Sequence, residues 1–119
     1  ITPFFTLEVA ADNRARAKGL MYRKSLPADR GMIFVYPSAA ERTFWMRDTY
    51  IPLDMVFVDD WYKVIGVLEN VPVNNDKPRR VDGPSRFVVE LAAGTARRVG
   101  IRRGSKLRCR EELPPGAAE

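Results

Sequence analysis

Two short segments of this chain, residues 53–58 and 86–92, are apolar on both of their alternating faces. No other feature constrains the fold as much. In an extended strand, successive side chains point to opposite sides. Leu53, Met55 and Phe57 then face one way and Val56 and Val58 the other. In the second segment Phe87, Val89 and Leu91 share one face, while Val88 and Ala92 flank Glu90 on the other. Strands of this kind belong inside a sheet that is covered on both sides. Nine prolines and eight glycines, spread along 119 residues, cut the rest into short elements. That favours a β-rich domain over a helical bundle, and the length suits a single domain.

Reading between these breaks, strands are expected at 4–10, 32–36, 43–46, 53–58, 63–71, 86–92 and 106–109. Gly31 opens the second and Pro37 closes it, while Asp59, Asp60 and Trp61 form a hairpin turn. Asp12 suits the N-cap of a short helix over 13–18, with Gly19 as its left-handed exit. Thr95 suits the cap of one helical turn that Gly100 ends. Seven short strands and two small helices predict a mainly β chain: a single-domain antiparallel β-sandwich or flattened barrel over 1–110. Residues 111–119, with Pro114-Pro115-Gly116, are expected to form a flexible C-terminal tail.

The absences exclude several chemistries. With no histidine and one cysteine, Cys109, the chain has no internal disulfide and no zinc site of the usual kind. It also lacks the commonest general base. No D-x-D-x-D-G calcium loop and no phosphate loop is present, and no serine lies in a G-x-S-x-G elbow. Met21, Met32, Met46 and Met55 lie in apolar runs and read as core residues rather than ligands of a soft metal. No cofactor and no metal is therefore expected. No apolar run reaches the length of a membrane span.

The formal charge is +5, concentrated between Arg79 and Arg110, where ten Arg or Lys face only Asp82 and Glu90. Such a field attracts nucleic acid, anionic lipid or acidic ligands, or simply keeps the protein soluble. Phe87 is the one aromatic in that stretch, so stacking on bases is poorly supported and nucleic acid is not the expected partner.

Five ordered stretches resemble one family: residues 19–27 (Gly-Leu-Met-Tyr-Arg-Lys-Ser-Leu-Pro), 31–37, 44–59 (opening Phe-Trp-Met-Arg-Asp-Thr-Tyr-Ile-Pro), 89–95 and 100–107. Over residues 4–109 the chain is similar to the bacterial and archaeal domain-of-unknown-function family 192. The resemblance implies a β-rich fold and no established activity. It also implies export to the periplasm or cell envelope, because members usually carry an N-terminal signal or lipoprotein sequence. The start at Ile1, without methionine, is read as a processed or trimmed product.

Chemistry is expected where charge meets the apolar strands. A buried, unpaired carboxylate is costly, so Asp54 and Glu90 call for cationic or N–H partners or a raised pKa. Arg23 and Arg47 lie in the same family motifs and are the expected partners. Two readings stay open. The carboxylates either fix the fold, or form a polar cluster held ready for a ligand. In the second reading the ligand-binding candidates are Arg23, Trp45, Arg47, Asp48, Thr49, Asp54 and Glu90, with no catalytic residue assigned. The expectation is a non-enzymatic binding or accessory module for a small polar or anionic ligand or a partner's loop. Two alternatives remain: a glycan hydrolase using paired carboxylates, and weak nucleic-acid binding by the arginine-rich third.

Overall fold

The structure, a computed structural model, describes residues 3–119. Ile1 and Thr2, the first residues of the expected 1–110 domain, lie outside the described residues. The elements are β1 (Thr6–Ala10), α1 (Asn13–Lys18), β2 (Arg30–Ala40), β3 (Leu53–Val58), β4 (Val64–Val71), β5 (Ser85–Ala92) and α2 (Thr95–Val99). The chain is mainly β, as expected, and its strands form one sheet in the order β1-β2-β5-β3-β4. β1 runs parallel to β2 and the other pairings are antiparallel. The sheet is therefore mixed, and it does not close into a barrel.

The two doubly apolar segments are interior strands, and all six residues of β3 are buried. Each sheet face carries its own core. Met32, Phe34, Leu53, Met55, Phe57 and Val88 pack on one side, joined by Leu20 and Met46 from the connections. Ile33, Val35, Val56, Val58, Val89 and Leu91 pack on the other, covered by Ile101, Leu107 and Leu113. Alternation along β3 and β5 thus builds two apolar layers from one sheet.

Several boundaries differ from the sequence reading. β2 continues past Pro37 to Ala40, because the proline lies where the β2–β5 register shifts between Val35 and Ala40. Outside a regular ladder its missing N–H costs little. Of the seven expected strands, 43–46 and 106–109 reduce to the single bridges Phe44↔Arg79 and Lys63↔Lys106. The first cannot lengthen because the chain turns immediately afterwards, with Thr49 N–H donating to Met46 O and Asp48 at φ 50°. The second ends where its partner turns away at Tyr62, φ 62°.

Asp12 caps α1 as expected, accepting from Ala15 N–H at 2.8 Å. Thr95 does not cap α2. The cap position is Gly94, which offers no side chain. Residues 111–119 contain no helix or strand, and they run against the body of the domain. Ala117 N–H donates to Ala11 O at 2.7 Å, and Gly116 passes so near β2 that a Cβ there would lie 2.3 Å from the Tyr36 carbonyl carbon.

Gly31 lies opposite Leu91 in the β2–β5 ladder, and an added Cβ would fall 2.3 Å from the Glu90 carbonyl oxygen. Backbone in the middle of a sheet cannot yield as a side-chain tip can. Gly31→Ala is expected to cost about 2 kcal/mol by overpacking. Urea denaturation measures this directly. An unchanged midpoint would mean that β2 and β5 separate freely at this point.

Candidate functional site

A cavity of about 340 Å³ lies on the β2–β5 face of the sheet beneath α1 and the 43–49 connection. Its position follows from the local sequence. Asp12 starts α1, Gly19 at φ 49° ends it, and the chain then turns back across the sheet without filling the space. Phe34, Tyr36, Phe44 and Trp45 line the walls, Thr49 contributes one edge, and Glu90 forms the floor.

Glu90 faces Met32 of β2 and Met55 of β3 in the two ladders and is 4% exposed. Among the described residues no hydrogen bond or ion pair reaches its carboxyl, and burial alone pushes its pKa up to about 8. The group is therefore largely protonated at neutral pH, a carboxylic acid able to donate as well as accept. Above it the Tyr36 phenol is pushed up to about 12, mainly by burial, and keeps its proton.

The two arginines near the cavity are already bonded. The Arg16 guanidinium donates to Ala11 O, Val35 O, Asn13 Oδ1 and Ala117 O. Arg42 lies 3.7 Å over the Tyr36 ring, donates to Ser38 O and Ser85 O, and pairs with Glu119 at 2.7 Å. Both arginines thus brace the rim and leave the cavity floor to Glu90.

Of the candidates read from sequence, the cavity brings together Trp45, Thr49 and Glu90. Trp45 is 47% exposed, with the Arg47 guanidinium 4.0 Å over its ring. Thr49 is buried and donates from its hydroxyl to Arg47 O at 3.0 Å. The expected pairing of Asp54 or Glu90 with Arg23 or Arg47 does not occur. Arg23 pairs instead with Glu8 of β1, whose carboxyl it holds below its usual range. Arg47 pairs with Asp76 at 3.1 Å. Both arginines lie on exposed connections, where the nearest carboxylates are surface ones, and the buried acids are out of their reach.

Asp54 is fully buried and accepts from Asn70 N–H at 2.9 Å and Ala96 N–H at 2.8 Å. It opposes Leu91, whereas Glu90 opposes Met55, so the two carboxylates project from opposite faces of the sheet. They cannot act on one substrate as an acid–base pair.

Asp48 is clasped to Tyr22. Tyr22 N–H donates to Asp48 O at 2.8 Å, and its hydroxyl donates to the Asp48 carboxylate at 3.3 Å. Both residues have positive φ, 67° and 50°, a strain of about 1–3 kcal/mol each for residues other than glycine. Strain of this kind concentrates at ligand clamps, and here it borders the cavity wall at Trp45 and Thr49. Sequence reasoning missed Tyr22, Tyr36 and Arg16. Nothing in the spacing of Tyr36 or Arg16 marks them, because each meets the site only through tertiary packing.

A second cavity, about 280 Å³, runs along edge strand β4 beside Lys77, Arg79 and Arg80. Arg79 Nε is buried there with no partner among the described residues. No helix is long and apolar enough to cross a membrane, and no three Asp, Glu or Cys side chains converge as metal ligands among the described residues.

Residues 2–109 match the model of domain-of-unknown-function family 192, described as "Uncharacterized ACR". No curated protein matches the chain. A crystal structure of a protein of unknown function from Novosphingobium aromaticivorans is 39% identical, with a TM-score of 0.83 over 86% of this chain and 73% of the other. A Sinorhizobium meliloti protein, provisionally described as a transcription regulator, is 34% identical, with a TM-score of 0.84 over 86% of this chain and 79% of its own.

Proposed function

This chain belongs to domain-of-unknown-function family 192, and from that premise, which brings no assigned chemistry, we propose a non-enzymatic binding module whose cavity over Glu90 takes a small polar ligand. The observation that carries this reading is the Glu90 carboxyl, buried at the floor of an open space with no hydrogen bond or ion pair among the described residues. A buried polar group without a partner costs stability. Such a cost is sustained at sites that serve function, where activity and stability pull apart. The walls supply apolar contact and the floor one orienting polar group, the usual division of labour in a small-molecule pocket.

The rival readings receive less support. A glycan hydrolase needs two carboxyl groups about 5–10 Å apart across one substrate, and Asp54 and Glu90 face opposite ways. For nucleic acid, the arginines of α2 and the following segment are exposed, but Phe87 is buried and offers no stacking surface. We also propose, from the habit of the family, that the domain works in the periplasm or cell envelope; fractionation of the native host decides that.

A thermal-shift panel of small sugars, amines, carboxylates and phosphates tests the binding reading. At least one class is expected to raise the melting temperature of the wild type and to leave Glu90→Leu unmoved. A panel that moves neither protein would overturn it. Turnover of a chromogenic substrate by the wild type, lost in Glu90→Gln with folding intact, would make the domain an enzyme.

A further inference from the structure

We propose that the cavity over Glu90 selects a small organic ammonium cation, a specificity that rests on the binding reading above and narrows it to one chemical class. Three observations lead there. The only unpartnered carboxyl facing the space, among the described residues, is Glu90, so a ligand group that donates to it, and best a cationic one, is complementary. The walls are aromatic, and ring faces attract cations through their quadrupoles. Two of those rings already do so within the fold: Arg42 over Tyr36 at 3.7 Å and Arg47 over Trp45 at 4.0 Å. Finally, the cations at the rim do not compete for the acid. Arg16 and Arg42 are bonded to carbonyls, Asn13 and Glu119, and Lys18, exposed at the edge of the cavity, makes no ion pair with Glu90.

The charged and titratable groups facing the cavity are Arg16 and Lys18 from α1, Tyr36 from β2, Glu90 from β5, and Glu119 from the C-terminal segment. Burial pushes the Tyr36 phenol up to about 12, so it holds its proton, and Glu119 is already paired with Arg42. Glu90 is then the one group whose state changes when a cation enters: it releases its proton to solvent and forms a buried ion pair with the ligand. A permanently charged ligand must therefore bind more tightly as pH rises toward about 8, by roughly tenfold per unit while Glu90 is mainly protonated.

Choline and its neutral isostere 3,3-dimethylbutan-1-ol separate the effect of charge from that of shape. Titration calorimetry of the whole chain is expected to show choline binding, the alcohol at least roughly tenfold weaker, and choline affinity rising between pH 6 and 8 with release of a proton. Glu90→Gln, which keeps the shape of the acid, is expected to abolish both the preference and the pH dependence. Trp45→Ala, at a half-exposed wall, weakens choline binding without removing the pH dependence. Equal affinity for the two probes, or a pH-independent choline affinity, overturns the cation proposal. Sugars or anions binding in a Glu90-dependent way while choline does not overturns it too, and leaves the binding module standing. No binding by any class removes both.

Discussion

Glu90→Gln is expected to stabilise the protein by roughly 3 kcal/mol at pH 7, an unusual direction for a change at a buried position. The acid has its pKa raised from 4.5 to about 8 by burial alone. In the unfolded chain it ionises near its ordinary value. Between those two values the folded state holds a proton that the unfolded state has released, so folding loses about 1.4 kcal/mol for each unit that pH rises. The contribution is complete below pH 4.5, shrinks through the window, and levels off above about pH 8. Glutamine does not ionise in either state and has the shape of the protonated acid. The advantage of the variant should therefore vanish near pH 4.5 and grow toward pH 8. Urea denaturation of both proteins across that range measures it. A constant difference, or a variant less stable at pH 7, would show that Glu90 has a partner when folded and would remove the basis for a ligand site.

Asp54→Ala is expected to cost roughly 3–5 kcal/mol, with no effect on ligand binding. Asp54 is a fold residue of a specific kind. One carboxylate oxygen holds Asn70 N–H, at φ 53° where the β3–β4 register shifts, and the other holds Ala96 N–H in the first turn of α2. The negative charge there also complements the positive end of the helix. It does the work that Thr95 was expected to do, and Gly94 cannot. Alanine would leave two buried donors unsatisfied, each costing about 1–3 kcal/mol, together with a small void. Hydrogen exchange at Asn70 and Ala96 should accelerate more than elsewhere in β3 and β5. A melting temperature within error of wild type would mean that water takes over both bonds.

Much of the fold is legible in the sequence, because it depends on local periodicity and turn chemistry. The doubly apolar runs at 53–58 and 86–92 identify the interior strands by alternation alone, and β3 and β5 lie there. Asp12 and Gly19 bound α1 at the expected positions, since caps are decided within a few residues, although Gly19 leaves at φ 49°, ψ −130° and not in the left-handed helical region. The sequence reading fails where an outcome depends on the far side of a ladder. Residues 43–46 and 106–109 have strand-like composition, but their pairing stops after one bridge. Pro37 reads as a stop and is instead absorbed in a register shift.

The candidate site divides along the same line. Composition alone marks Asp54 and Glu90, because a charge in an apolar strand is visible in a string of letters. Their opposite fates are not visible there. Odd and even positions on neighbouring strands settle which face each takes only once the register is fixed, and register is a property of the pair. The arginines expected to neutralise them find surface acids instead, Glu8 and Asp76, brought near by connections whose paths no local rule specifies. Sequence determined that two carboxylates would enter the core. Tertiary structure decided that Asp54 would be satisfied by backbone and that Glu90 would be left facing an open cavity.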